Sequence, residues 1–227
     1  MLGEWFNTIA LFFLILEYTG SEFLLGILFT VRMLSFALLQ PIIGLLADRF
    51  NRKTLMVVSN LAQSVLALGF LFVDGPEDMV WMLGLSGIMM MLHGSYMTAE
   101  RAALPNVVAE EDLATANALD AASWSTALCI GAMLGGVVVS VWGVDAAFII
   151  DSITFLVGTL FLIRLKIPQE RDVDMDGPLF STAFGNIVKG WKRIRMEPRL
   201  FRIVFAKASW NIAGGGLAGV FLVLMGA

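Results

Sequence analysis

Charge is scarce in this sequence. Only 15% of its 227 residues are charged, against 58% hydrophobic, and the mean hydropathy is +0.82. A soluble domain carries roughly a quarter charged residues. One core of this size cannot hide so much extra apolar surface, so lipid is the solvent over most of the chain. The net charge of −4 excludes the basic stripe of a nucleic-acid binder. A single cysteine, Cys129, excludes an internal disulfide and leaves the redox compartment open. Also missing are G-x-x-x-x-G-K-[ST], H-E-x-x-H and G-x-S-x-G. An ATP-driven pump and an intramembrane hydrolase are therefore unsupported, and the expectation is a non-enzyme without metal or cofactor. Met1 to Tyr18 has no basic n-region and no small-residue cleavage site, so it reads as membrane helix, not signal peptide.

What is present is a series of long apolar runs. A spanning helix needs about 20 mostly apolar residues. Phe23–Ala47, Thr54–Val73, Met79–Thr98, Asn117–Trp142, Asp145–Arg164 and Leu200–Leu224 qualify; Trp5–Tyr18 is short of a crossing. The expectation is an all-α polytopic membrane protein, with a six-helix unit over 1–164, a linker over 165–199 and a seventh helix over 200–227. The short first run, and a chain that stops within or just after the seventh, suggest a fragment.

Basic residues accumulate on the cytoplasmic side of a membrane. If the turn "GLLADRFNRK" at 44–53 is inside, then Arg49, Arg52, Lys53, Arg101, Arg164, Lys166 and the cluster from Arg171 to Arg202 all fall inside. The connections left outside, "YTGSE", "DGPED" and "GVD", contain acids and no Lys or Arg. The N-terminus and the 165–199 linker are thus expected in the cytoplasm, and the protein in a cell membrane, the inner or plasma membrane of a bacterium. Within that linker "PQERDVDMDGP" reads as flexible. After it Phe180, Phe184, Ile187, Trp191 and Ile194 recur at helical spacing, with Lys189, Lys192 and Arg193 opposite. Two placements fit: a helix in the lipid interface, or one packed on the protein's inner surface.

Gly44, Asp48, Arg49, Arg52 and Lys53 stand at the spacing of G-x-L-a-D-R-x-G-R-K, and they resemble the signature that the major facilitator superfamily carries after its second helix. Asn51 replaces one glycine and is compatible with a left-handed turn. Gly44 would let another helix approach, and Asp48 would accept from bases or a helix N-terminus. "GAMLGG", with Gly131, Gly135 and Gly136, resembles the family's G-P-x-x-G-G exporter motif in the fifth helix; Ala132 replaces its proline, and the glycines offer a close-packing face. "TAERAALPNVVAEEDLATANAL", "GNIVKGWKRIRMEPRLFRIV" and "GEWFNTIALFFLILEYTGS" look like the macrolide-efflux-type branch of drug exporters. The resemblance covers nearly the whole chain but only the first half of a twelve-helix fold, the N-terminal six-helix bundle plus the start of helix seven. The arginine that many exporters carry in the fourth helix is absent; Met90 and Met91 occupy that neighbourhood.

Ionisable groups within a membrane are functional candidates because burying them is costly. Glu4 lies about 21 Å, and Arg32 about 14 Å, from the outer ends of their helices at 1.5 Å per residue. Both are near the middle of a core ~30 Å thick. They are either a coupling or substrate-cavity pair or a structural charge pair. Asp151, roughly 9 Å from the outer end of helix six, either lines an outer vestibule or hydrogen-bonds a neighbouring helix. The only histidine, His93, reads more readily as a packing or hydrogen-bonding residue than as a proton relay. Met89 to Met91 form either an adaptable pocket wall or plain helix surface.

The resemblance implies a secondary exporter of hydrophobic drugs or other small molecules. It would be driven by protons and work by alternating access between two halves, with the 44–53 turn helping to hold the inner gate closed. Its implied partners are a small hydrophobic substrate, protons, the lipid bilayer, and a missing C-terminal half or a second copy; nucleic acid is not among them. Two other readings share the sequence: an exporter of siderophore or lysophospholipid, and a non-transporting remnant or assembly partner.

Overall fold

Long apolar runs with few breakers become long helices. The computed structural model describes residues 2–168 and 179–210, without the side chains of Leu2, Leu39, Asp48, Leu179, Phe180, Ser181, Ala183, Asn186 and Trp210. Among the described residues it has α1 (Leu2–Thr19), α2 (Glu22–Arg49), α3 (Arg52–Gly69), α4 (Met79–Val107), α5 (Leu113–Trp142), α6 (Val144–Arg164), α7 (Leu179–Met196) and α8 (Pro198–Trp210), with no strand. The turns between α1 and α2 and between α5 and α6 use Gly20 (φ +59°) and Gly143 (φ +84°). These are left-handed conformations that glycine adopts without a Cβ clash. Near Pro41 the two arms of α2, Glu22–Leu38 and Gln40–Ala47, meet at 45°. A ring without N–H inside a helix is a sufficient cause of that bend.

Some helices run past their hydrophobic stretches. The fourth was expected to end at Thr98, yet α4 continues to Val107. The added "AERAAL" is made of strong helix formers, so the helix outlasts its apolar run. The expected seventh span, Leu200–Leu224, begins within α8, and its residues 211–224 lie outside the described residues, as do 169–178 of the linker.

α3 shows which solvent the fold is built for. Its buried face carries Ser59, Asn60, Gln63 and Ser64, while Val58, Leu61, Val65 and Leu68 are exposed. Gln63 is 1% exposed and Val65 69%. This inverted amphipathicity would expel a helix from a water-soluble fold and suits one whose outer surface meets lipid. Three helical stretches are long and apolar enough to cross a membrane alone: Arg52–Phe72, Glu110–Trp142 and Val144–Arg164; a fourth is added if the two arms of α2 count as one span. α1 and α4 carry Glu4, Asn7, Thr8, Ser86, His93 and Ser95, which dilute their apolarity.

The core is centred on α1, whose Phe6, Ala10, Leu11, Leu14 and Ile15 are buried against residues of α2 to α6. α2 packs on α4 as α5 packs on α1; α3 packs on α4 as α6 packs on α1; α3 and α6 pack on each other. Exchanging α1 with α4, α2 with α5 and α3 with α6 leaves this scheme unchanged. Tyr18 Oη, at the end of α1, is 3.5 Å from the Val73 carbonyl oxygen just before α4 begins. α1 therefore ends where α4 starts, and the exchanged helices run in opposite directions, an inverted three-plus-three arrangement.

The candidate site, a buried ionic cluster

α1, α2 and α4 converge on Glu4. Its Oε1 lies 3.8 Å from Arg32 Nη2 on α2, and its Oε2 lies 3.3 Å from His93 Nδ1 on α4. Arg32 Nη2 also donates to Thr8 Oγ1 at 3.2 Å and meets Met90 Sδ at 3.9 Å. Glu4 and Thr8 share a face of α1 at a spacing of four, and Met90 and His93 share a face of α4 at a spacing of three. The Thr8 hydroxyl donates to the Glu4 carbonyl at 2.8 Å, which fixes it beneath the guanidinium. One carboxylate thus divides its oxygens between two bases, with all three side chains largely withdrawn from solvent. Glu4 and Arg32, two of the sequence's candidates, are thus neighbours, and α2 supplies a guanidinium beside Met90, where the fourth helix has none. His93, expected to be a packing or hydrogen-bonding residue, stands beside the Glu4 carboxylate as a member of this cluster. Depth alone gave the signal: 14 residues from Met79, or about 21 Å, is the depth of Glu4.

Asp151 on α6 is 0% exposed. Gly3 packs onto it so closely that a Cβ there would collide with Thr154 and lie 2.5 Å from Asp151 Oδ1. Asn7, one turn along α1 and also buried, stands beside it. Asn7 is the side chain that offers the Asp151 carboxyl a hydrogen bond, in a geometry too poor to satisfy either group fully. Asp151 is therefore shut off from solvent, and its carboxyl meets the neighbouring helix α1 at Asn7. It interacts electrostatically with both Glu4 and Arg32, so the three candidate residues share one neighbourhood.

The 44–53 turn is tied into the same bundle. Asn51 has φ −63° and ψ 119°, extended rather than left-handed, and its side chain accepts from the Thr54 amide at 3.1 Å as the N-cap of α3. Arg52 Nη1 donates to the Ala102 carbonyl of α4 at 2.6 Å. Lys53 Nζ donates to the carbonyls of Ile163 and Leu165 at 2.7 Å each. These last two are orphan acceptors at the C-terminus of α6, where a cation also meets the negative end of the helix dipole. Two of the motif's bases thus clamp α3 to the ends of α4 and α6. The Asp48 side chain lies outside the described residues. Gly44 was expected to admit a neighbouring helix; among the described residues, no atom of another helix comes within 4 Å of a Cβ built there.

In the fifth-helix glycine motif, Gly131 and Gly135 are buried. A Cβ at Gly135 would sit 3.3 Å from the Phe6 Cα of α1. Gly136 has nothing within 4 Å and takes no part in that contact. The symmetry-related seam between α2 and α4 uses Gly87 and Gly94, where a Cβ would meet Ser35 Oγ at 2.9 Å and Gln40 Nε2 at 3.0 Å. The sequence reading missed these two, although their seven-residue spacing puts them on one face.

A family profile described as Major Facilitator Superfamily matches residues 1–227. A Bacillus subtilis (strain 168) protein provisionally named bacilysin exporter BacE is 24% identical over 187 residues, 82% of this chain and 46% of its own length. Macrolide efflux protein A of Streptococcus pyogenes is 27% identical over 168 residues, 72% of this chain and 41% of that protein. Multi-drug resistance efflux pump PmrA of Streptococcus pneumoniae is 25% identical over 151 residues, 65% of this chain and 37% of that protein. The chain spans less than half the length of each of these relatives. No solved structure matches it.

Proposed function

The chain belongs to the Major Facilitator Superfamily, and on that premise we propose that it is the N-terminal half of a proton-coupled exporter of hydrophobic small molecules, drugs among them, working by alternating access. The observation that carries this reading is Glu4 held between Arg32 and His93 where three helices meet. Titratable groups are kept at such depth where they move charge or bind cargo. Glu4 and Arg32 are the coupling pair, and Asp151 is the third charge that feels their state. The relatives named for efflux of a macrolide, of multiple drugs and of bacilysin support export. In this reading the basic turn, the N-terminus and residues 165–199 face the cytoplasm of a bacterial cell, by the positive-inside rule. α7 packs on α2, with Phe184, Ile187 and Trp191 exposed; with Lys189, Lys192 and Arg193 it would rest against anionic headgroups.

The partner is a second six-helix half, from a longer chain or a separate one. α5 supports this: Ser123, Ser125 and Thr126 are exposed on it about 15–20 Å from its start at Leu113. Hydroxyls facing outward at that depth suit a central aqueous cavity or another helix better than lipid.

Transport into inside-out vesicles tests the reading, with the chain produced alone and with a complementary half. A panel of macrolides, other hydrophobic drugs, a siderophore and a lysophospholipid would be offered. The expected result is pH-gradient-driven uptake of the drugs that is lost in Glu4→Gln and Arg32→Ala. Uptake that ignores both substitutions and the gradient refutes it.

A further inference from the structure

A second feature lies behind the ionic cluster, partly open to the outside. A cavity of about 290 Å³ lies between α3, α4 and α6, lined by Asn60, Gln63, His93, Tyr96, Thr154 and Gly158 among others. His93 belongs to both places: its ring lines this cavity while its Nδ1 stands 3.3 Å from Glu4 Oε2. We propose that this chamber holds water and forms the proton path between Glu4 and the basic end of the bundle, with His93 as the group that hands the proton across.

Three observations carry the proposal. The first is chemical: apolar cavities stay dry, whereas a roomy cavity with several polar partners takes up water, each molecule needing about 30 Å³. Five of the nine lining residues are polar, beside Gly158 and the apolar Phe155, Val157 and Phe161, and α3 turns the amides of Asn60 and Gln63 inward at the expense of its own apolarity. The second is positional. Beyond His93, α4 carries Tyr96 and Glu100 at spacings of three and four, one face of a helix heading for the basic end. Tyr96 interacts electrostatically with Glu100, and Glu100 with Asp120 of α5, so the polar column continues past the chamber. The third is the set of charges around the imidazole. Glu4 faces it from α1 and Arg32 from α2, with Arg101 on its own helix; α3 and α6 present the uncharged Asn60, Gln63 and Thr154, with Asp151 three residues before Thr154. A base placed between a carboxylate and neutral polar groups has its partner on one side and solvent on the other.

The transfer balances simply. A proton on Glu4 Oε2 passes to His93 Nδ1, leaving a carboxylate and an imidazolium. The other ring nitrogen releases its proton to chamber water, leaving neutral imidazole and one hydronium. One proton has left Glu4 and one has entered the chamber; the reverse sequence loads Glu4. The inference rests on the reading of Glu4 and Arg32 as the coupling pair.

His93 is the only histidine in the chain, so ¹⁵N-histidine labelling of the full chain in lipid nanodiscs gives one imidazole to observe. Water-edited solid-state NMR should show rapid transfer from water protons to that ring. Glu4→Gln should move its ¹⁵N resonances. Gly158→Leu should cut the water transfer severalfold, since even its first added carbon meets Asn60 Nδ2 at 3.3 Å; Asn60→Leu serves the same end if that variant does not fold. Transfer from lipid methylenes instead of water, resonances indifferent to Glu4, or water contact unchanged in the folded sealing variant would each overturn the proposal. A dry His93 alongside intact pH-gradient-driven transport removes the chamber and leaves the function standing; transport indifferent to the gradient removes both.

Discussion

At Glu4 one carboxylate answers two bases, and the energetics of the cluster follow from how little water reaches it. Removing one partner of a buried pair leaves the other charge uncompensated, at a cost of about 3–5 kcal/mol when burial is deep. Arg32→Leu and Glu4→Leu should each lower thermal stability in detergent, and the double variant should lose clearly less than the sum; strict additivity would mean the two side chains do not interact. A second residue-scale prediction separates two adjacent glycines. Gly135→Leu must push into the backbone of α1 at Phe6 and should cost about 1–3 kcal/mol by overpacking. Gly136→Leu, with open space around it, should stay close to the parent. Equal effects in the same unfolding assay would contradict the α1–α5 seam. The charges at Glu4 and Arg32 were legible in the sequence because a charge within a long apolar run is conspicuous by itself. The place of His93 beside Glu4 was not, because a single sequence gives each residue a depth but does not say which helices are neighbours.

At the scale of the element, α3 is the clearest case of sequence chemistry setting structure. Its polar side chains at 59, 60, 63 and 64 form one stripe, and the apolar ones at 58, 61, 65 and 68 form another. Reading the segment only as a hydrophobic run finds the span and misses the face; the helical period would have supplied it. With Cys129 replaced, single cysteines at 58, 61, 65 and 68 should react with a lipid-phase probe, and those at 59, 60, 63 and 64 should be protected. The opposite pattern would mean that α3 is turned around. The 44–53 turn teaches the complementary lesson. Its bases were legible as a topology signal, but Arg52 and Lys53 reach main-chain carbonyls of α4 and at the end of α6, which no side-chain pattern advertises. Lys53→Ala should weaken the last turn of α6 by about 0.5–1 kcal/mol, the usual worth of a cation at a helix C-terminus. Hydrogen exchange at residues 161–164 should quicken accordingly, and unchanged exchange would show that the two 2.7 Å contacts carry no stability.

At the scale of the whole molecule, six helices obey a pairing scheme that survives exchange of the first three with the second three, with direction reversed. Nothing in the run of hydrophobic residues states that scheme. It emerges from which faces carry small residues: Gly135 toward α1, Gly87 and Gly94 toward α2. The sorting of charge between the two ends of the bundle, by contrast, is written openly in the sequence. Arg52 and Lys53 lie with the ends of α4 and α6 at one end, and Asp78 precedes α4 at the other. That separation is the claim on which membrane threading, the depth of Glu4 and the transport reading all depend. Single cysteines at positions 53 and 78, in a background without Cys129, should be probed in intact cells with a membrane-impermeant thiol reagent. Position 78 is predicted to react at once and position 53 only after the membrane is opened; reaction of both from the same side would contradict the account.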